Sequence, residues 1–161
     1  PGVGAFDKTM KLLLDSGLQE KLDELVLVKK IPIIGICVGM QILADSSEEG
    51  NCKGLGYIKG KVKKIDSNYL LHKPKIPHMG CNSIEIVKNN LLLQEIDPHF
   101  GFYFLHSYYF ECEDENNILA TTEYSTTFAS AVNRENIFGI QFHPEKSHFN
   151  GVKLLHNFAK L

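Results

Sequence analysis

The chain has 161 residues, 43% of them apolar, and a formal net charge of −2 at pH 7. That length suits one domain, residues 1–161, with a core of its own. A near-neutral balance without a Lys/Arg block disfavours a nucleic-acid or membrane-surface role, and no apolar run reaches the length of a membrane span.

Pro1-Gly2-Val3-Gly4 opens the chain as a turn. Phe6, Met10, Leu13 and Leu14 then recur at helical spacing over residues 5–15, with Gly17 placed for a C-cap. Leu18, Leu22 and Leu25 continue a second short helix. Residues 32–36 form a short, apolar, β-branched run, which predicts a buried parallel strand. A helix is expected from Val38 to about Ser46, and a polar loop over residues 48–56. Strands are predicted over 57–65, 83–87, 102–110 and 118–124. Residues 129–132 and 137–142 flank a polar turn and read as a hairpin. Residues 151–161 predict a helix with Val152, Leu155, Phe158 and Leu161 on one apolar face. Only helix-like sequence precedes the strand at 33–36. An α/β sheet would want strands before it, so the first strands are expected to be missing at an incomplete N-terminus.

Chemistry concentrates at residues 33–41, Ile-Ile-Gly-Ile-Cys-Val-Gly-Met-Gln. A strand, a cysteine between near glycines and a helix have the layout of a nucleophile elbow. The sharp turn lifts Cys37 out of the sheet and sets its sulfur at a helix N-terminus, which predicts a lowered thiol pKa. A cysteine in an apolar run is otherwise a small buried hydrophobe. The Val38 N–H would serve as an oxyanion donor. Gln141-Phe-His-Pro-Glu145 supplies a base: Pro144 holds His143 extended, and Glu145, beyond the bend, is placed to orient its ring. Alone, Glu145 would read as a solvated turn carboxylate. The Pro1–Gly4 loop would offer a second oxyanion donor, although an ordinary turn before a helix explains it equally well. Cys37, Cys52, Cys81 and Cys112 show no C-x-x-C spacing, so zinc is not expected, and reduced thiols in the cytoplasm fit so sparse a pattern. His72, His78, His99, His106, His148 and His156 form no ligand pattern, and no metal is expected.

Four blocks now stand together: PGVGAF at 1–6, GICVGMQ at 35–41, KIPHMG at 75–80 and FGIQFHPEKS at 138–147. By these the chain resembles the class I (triad) glutamine amidotransferases over its whole length, and most of all the HisH-type glutaminase subunits of imidazole glycerol phosphate synthase. The resemblance implies a three-layer α/β sandwich around a mostly parallel central sheet. It implies a glutaminase with no cofactor, in which Cys37 attacks the glutamine amide, His143 carries the proton and Glu145 orients His143. Val3 and Val38 would supply oxyanion N–H groups, with Gly2 and Gly4 letting the loop rearrange. Gln41, Glu49, His106, Ser107 and Tyr108 would hold glutamine. The ammonia would pass to a HisF-like cyclase barrel, a heterodimer partner that makes imidazole glycerol phosphate and AICAR in histidine biosynthesis. Pro77, His78, Met79, Gly80, Cys81 and Asn82 would face that partner. Cys81 departs from the resemblance, since HisH-type subunits usually carry Trp there. Tryptophan is a frequent interface anchor, worth about 2 kcal/mol or more at a hot spot, so this change shifts weight toward a paralogue serving another acceptor enzyme, such as a surface-sugar amidotransferase. A γ-glutamyl peptidase of the same fold and an inactive scaffold subunit are the remaining readings. PGVG and PHMG speak against the first, and the intact Cys37, His143 and Glu145 against the second.

Overall fold

The computed structural model describes residues 1–69 and 76–161, so His72 and Lys75, the first residue of the KIPHMG block, lie outside the described residues. Helix α1 spans Phe6–Asp15 and α2 Gln19–Asp23, which runs on as a wider π turn over Glu24–Val28. Strand β1, Ile33–Ile36, leads directly into α3, Val38–Gln41. Strands β2 (Ser46–Ser47), β3 (Gly60–Lys64), β4 (His78–Asn82), β5 (Glu85–Ile86), β6 (Phe102–His106), β7 (Tyr108–Cys112), β8 (Ile118–Tyr124), β9 (Thr126–Arg134) and β10 (Ile137–Ile140) follow, and α4, His148–Phe158, closes the chain.

The main sheet runs β1-β10-β9-β7-β3-β2, with β8 on β9 and β5 on β8, while β4 and β6 form a separate ribbon. The α/β class is as expected. Parallel pairing sits at β1–β10, beside the elbow, and at β2–β3. The other pairs are antiparallel, which makes them the more numerous among the described residues and refines the expected mostly parallel sheet. Short connections such as that between β9 and β10 leave no room for the crossover a parallel pair needs.

Side chains alternate across this sheet. On β10, Phe138 and Ile140 enter one core with Leu154 of α4, whereas Ile137 enters the other with Phe6 and Met10 of α1 and Met40 of α3. The sheet is thus covered on both faces, the layering expected of a three-layer sandwich. Gly35 allows α3 to approach β1 closely: a Cβ there would collide with the backbone of Gly39 and Met40.

Four expectations need correction. The helix after the elbow is four residues long, not nine. Carbonyls that would extend it are taken by the following loop, with Leu55 N–H donating to Ile42, Ile58 to Leu43 and Gly56 to Ala44. The predicted strand 102–110 is two strands in two sheets, β6 on β4 and β7 on β3 and β9, broken at Ser107. Strand β4 was not foreseen. On the last helix, Val152 and Leu155 are exposed (69% and 41%), and the buried face is Asn150, Gly151 and Leu154. Gly151 fixes that rotation because a Cβ there would sit on the Pro144 carbonyl, while Asn150 Nδ2 donates to the Asp97 and Gly101 carbonyls at 2.8 and 2.9 Å.

Candidate active site

Cys37 stands between β1 and α3 with φ 56° and ψ −113°. A non-glycine residue held there stores about 1–3 kcal/mol of strain. The elbow is held by the Cys37 N–H on the Ile140 carbonyl at 2.8 Å, by the Gln41 N–H on the Cys37 carbonyl at 3.1 Å, and by a parallel bridge from Cys37 to Gly2. The N-terminal loop is therefore seated beside the sulfur. Cys37 Sγ lies 3.8 Å from the Leu105 carbonyl and 3.7 Å from Gln141 Nε2.

The expected depression of the thiol pKa is not found. Burial pushes it up, and the negative charges of Glu145 and Glu49 add to that, against the opposing Val38 N–H and Gln141 amide. A buried thiolate loses more hydration than a four-residue helix returns. The sulfur rests as a thiol and needs a base.

His143 is that candidate base. Its N–H donates to the Tyr103 carbonyl at 2.8 Å, anchoring it to β6, the same strand whose Leu105 carbonyl meets the sulfur. Pro144 starts a single 3-10 turn, Pro144–Lys146, which swings Glu145 back so that Oε1 meets His143 Nδ1 at 2.8 Å. Ser147 Oγ closes the turn by donating to the His143 carbonyl at 2.6 Å and accepting from the Tyr103 N–H at 2.9 Å. His143 is 2% exposed, yet its Nε2 has no partner among the described residues. An unpaired buried polar atom costs about 1–3 kcal/mol, a cost that makes sense for an atom kept free to take a proton.

A cleft of about 370 Å³ opens over Cys37, lined also by Val3, Gly4, Gln41, Glu49 and Pro77 and by the 105–108 segment. All five expected substrate residues, Gln41, Glu49, His106, Ser107 and Tyr108, are brought together here. Larger cavities lie elsewhere, among them one of about 730 Å³ around Asp45, Lys59, Glu113 and Asp114, one around Ile86–Ile96 and one beside β5 and β8, and none of these is lined by the thiol. Gln41 Nε2 donates to the Tyr108 carbonyl at 2.9 Å and to Gln141 Oε1 at 3.0 Å, which leaves its own carbonyl to accept. Glu49 Oε2 accepts the Phe6 N–H at 2.8 Å. In return Asp7 accepts the Asn51 and Cys52 N–H groups at 2.9 and 3.0 Å, which hold its carboxyl below the usual range. This exchange ties the Glu49 loop to the start of α1.

Gly2 and Val38 flank the sulfur without lining the cleft, and His143 and Glu145 lie outside its wall. Of the expected partner segment only Pro77 reaches the cleft. Met79 and Cys81 point outward from β4 and are exposed, while His78 is buried. Sequence reasoning assigned no role to Gln141, which links Gln41 to the sulfur, nor to Ser147. The two-residue spacing of Gln141 and His143 was the available signal, since such residues share a strand face. Among the described residues no cluster of His, Cys, Asp and Glu could hold a metal, and no helix is long and apolar enough to cross a membrane.

The whole chain, residues 1–161, matches the family model for class-I glutamine amidotransferases. It is 55% identical to the imidazole glycerol phosphate synthase subunit HisH of Leptospira interrogans, over all of this chain and 79% of that protein. It is 51% identical to subunit HisH 2 of Methanococcus maripaludis, over 99% of this chain and 78% of that one. A glutamine amidotransferase structure from Thermotoga maritima superposes with a TM-score of 0.64 at 19% identity, covering 99% of this chain and 60% of its own, a likeness of fold.

Proposed function

The chain belongs to the class-I glutamine amidotransferases, with relatives named as HisH subunits, and from that premise we propose that it hydrolyses glutamine through Cys37, His143 and Glu145 and feeds the ammonia to a cyclase partner. The observation that carries this is the strained Cys37 under a cleft, with a His–Glu pair tied through Tyr103 to the strand that meets the sulfur, and one ring nitrogen without a partner among the described residues.

In this reading glutamine enters with its side-chain amide over Cys37 and its amino-acid end toward Gln41, Glu49 and Tyr108. The thiol proton moves to His143 Nε2 as the sulfur adds to the amide carbon. The Val38 N–H, with Val3 after rearrangement of the Gly2–Gly4 loop, takes the developing negative oxygen. His143 then protonates the departing nitrogen, ammonia leaves, and a glutamyl thioester remains. Water, deprotonated by the same imidazole, hydrolyses it to glutamate. Glu145 keeps the His143 proton on Nδ1, so that Nε2 is the nitrogen that exchanges. Ammonia is mostly protonated at neutral pH, so delivery to a docked partner avoids its loss to solvent. The exposed outer side of β4, Met79 and Cys81, offers the docking surface, with a HisF-like cyclase of histidine biosynthesis as partner and the cytoplasm as the site of action.

The test is glutamine hydrolysis by the chain alone and with a histidine-pathway cyclase barrel carrying its ribonucleotide ligand. A large rise with the barrel is expected. Cys37→Ala should lower the rate at least about a thousandfold while leaving docking intact. Hydrolysis by Cys37→Ala at the wild-type rate would sink the nucleophile assignment. No rise with the barrel, while Cys37 still reacts with a glutamine-mimicking electrophile, would favour the surface-sugar type of acceptor that Cys81 suggests.

A further inference from the structure

Two buried histidines, one of them in the wall of the cleft, exchange no proton in that chemistry. His78 on β4 and His106 on β6 face each other, Nδ1 of the first 3.1 Å from Nε2 of the second. The protons on this pair can be assigned. His106 Nδ1 lies 2.8 Å from the Tyr108 carbonyl, which can only accept, so that nitrogen carries hydrogen. His106 Nε2 is then an acceptor, and His78 must donate from Nδ1. His78 Nε2 is in turn an acceptor, met by Asn82 Nδ2 at 3.3 Å. The Asn82 amide cannot be flipped, because Nδ2 also donates to the Glu123 carbonyl at 3.1 Å and Oδ1 accepts the Ser83 N–H at 2.9 Å. Every bond therefore points one way, from Asn82 through His78 and His106 to the Tyr108 carbonyl. Burial keeps both rings neutral, with pKa values lowered to about 4 and about 3, and His78 is fixed between the rings of Tyr124 and Phe104, with centroids at 3.9 and 4.7 Å.

The chain ends at the cleft. The Tyr108 carbonyl also accepts from Gln41, Gln41 donates onward to Gln141, and Gln141 reaches Cys37 Sγ. We propose that His78, His106 and Asn82 are positioning residues whose directed hydrogen bonds hold the Tyr108 carbonyl and Gln41 in the geometry that binds glutamine. The inference rests on the glutaminase reading of the cleft. It adds that glutamine affinity is set from β4, the strand with the exposed outer side.

Asn82→Asp tests direction with almost no change of shape. A carboxylate cannot donate to His78 Nε2. It draws the proton onto that nitrogen, and Nδ1 then opposes the lone pair of His106. His78→Phe keeps the ring stack and removes the bonds. Each variant of the full chain is labelled with a diazoketone analogue of glutamine and, separately, with iodoacetamide, reading modification at Cys37 by mass spectrometry. Both substitutions should slow the analogue about tenfold and leave iodoacetamide within about twofold, with KM for glutamine rising and kcat nearly kept. Analogue labelling at the wild-type rate would overturn the proposal. Equal loss with both reagents would overturn it too, since the histidines would then merely support the fold. Wild-type chain that takes iodoacetamide but never the analogue would overturn the glutaminase reading itself, and the relay with it.

Discussion

Cys37 gathers two opposed demands in one residue. Its backbone is held in a conformation that side chains resist, and its sulfur is held in surroundings that resist charge. A free thiol ionises near ~8.5, and burial moves Cys37 above the ordinary value, so at neutral pH the resting sulfur keeps its proton. The sign of the pH effect follows. Reaction with a small electrophile that takes no help from His143 should climb with pH and level off only above the pH at which free cysteine does. Rates of iodoacetamide modification from pH 6 to 10, beside free cysteine, read this directly. A plateau reached below that of free cysteine would show that the elbow activates the thiol by itself, the expectation that its place before α3 suggested.

At the scale of elements, what was legible depended on whether a signal was local. Cys37 between Gly35 and Gly39 and the run 33–36 gave β1 and the elbow, because turn chemistry and β-branching act within a few residues. The spacing of Phe6 and Met10 gave α1, and Asn133–Asn136 gave the β9–β10 hairpin. Cys37, His143 and Glu145 were read from the elbow and the strand end and the cleft residues from motif resemblance; the fold sets Glu145 on His143 and gathers the cleft residues over Cys37. What was not legible depends on distant partners. The loop at 54–58 removes the carbonyls α3 would need, and the sheet change at Ser107 is decided by β3 and β4. The buried face of α4 is decided by Gly151 against Pro144, not by the apolar stripe of Val152 and Leu155. Gly151→Ala should therefore push α4 off the turn that carries Glu145. We expect a loss of about 2–3 kcal/mol in stability and slower glutamine turnover, read by urea unfolding and steady-state kinetics. An unchanged unfolding midpoint would mean that α4 is not seated by that contact.

Over the whole molecule, the same burial that fixes the His78–His106 pair makes folding sensitive to acid. An unfolded histidine takes up a proton near pH 6.5, while these two in the folded protein resist until about 4 and about 3. Between those limits the unfolded chain binds more protons, so stability rises with pH there. The contribution is fully present above about pH 6.5 and is lost as pH falls, by roughly 2 kcal/mol per histidine at pH 5. Among the described residues, the groups around His78 offer no acceptor for a second proton: the His106 lone pair already accepts from Nδ1, Asn82 donates to Nε2, where the proton would sit, and Phe104 and Tyr124 cover the ring faces. Around His106 burial outweighs the Tyr108 carbonyl, which accepts from its Nδ1 and favours the charged form. Other histidines and carboxylates add their own pH dependence, so the discriminating measurement is a difference. Urea unfolding of the wild type and of His78→Phe at pH 7.5 and pH 5 should show a smaller acid loss in the variant, by roughly 2 kcal/mol, even where the variant starts less stable at pH 7.5. The same acid loss in both proteins would mean that His78 is protonated in the folded state at pH 5, and the one-way run of hydrogen bonds from Asn82 to Tyr108 could not then persist.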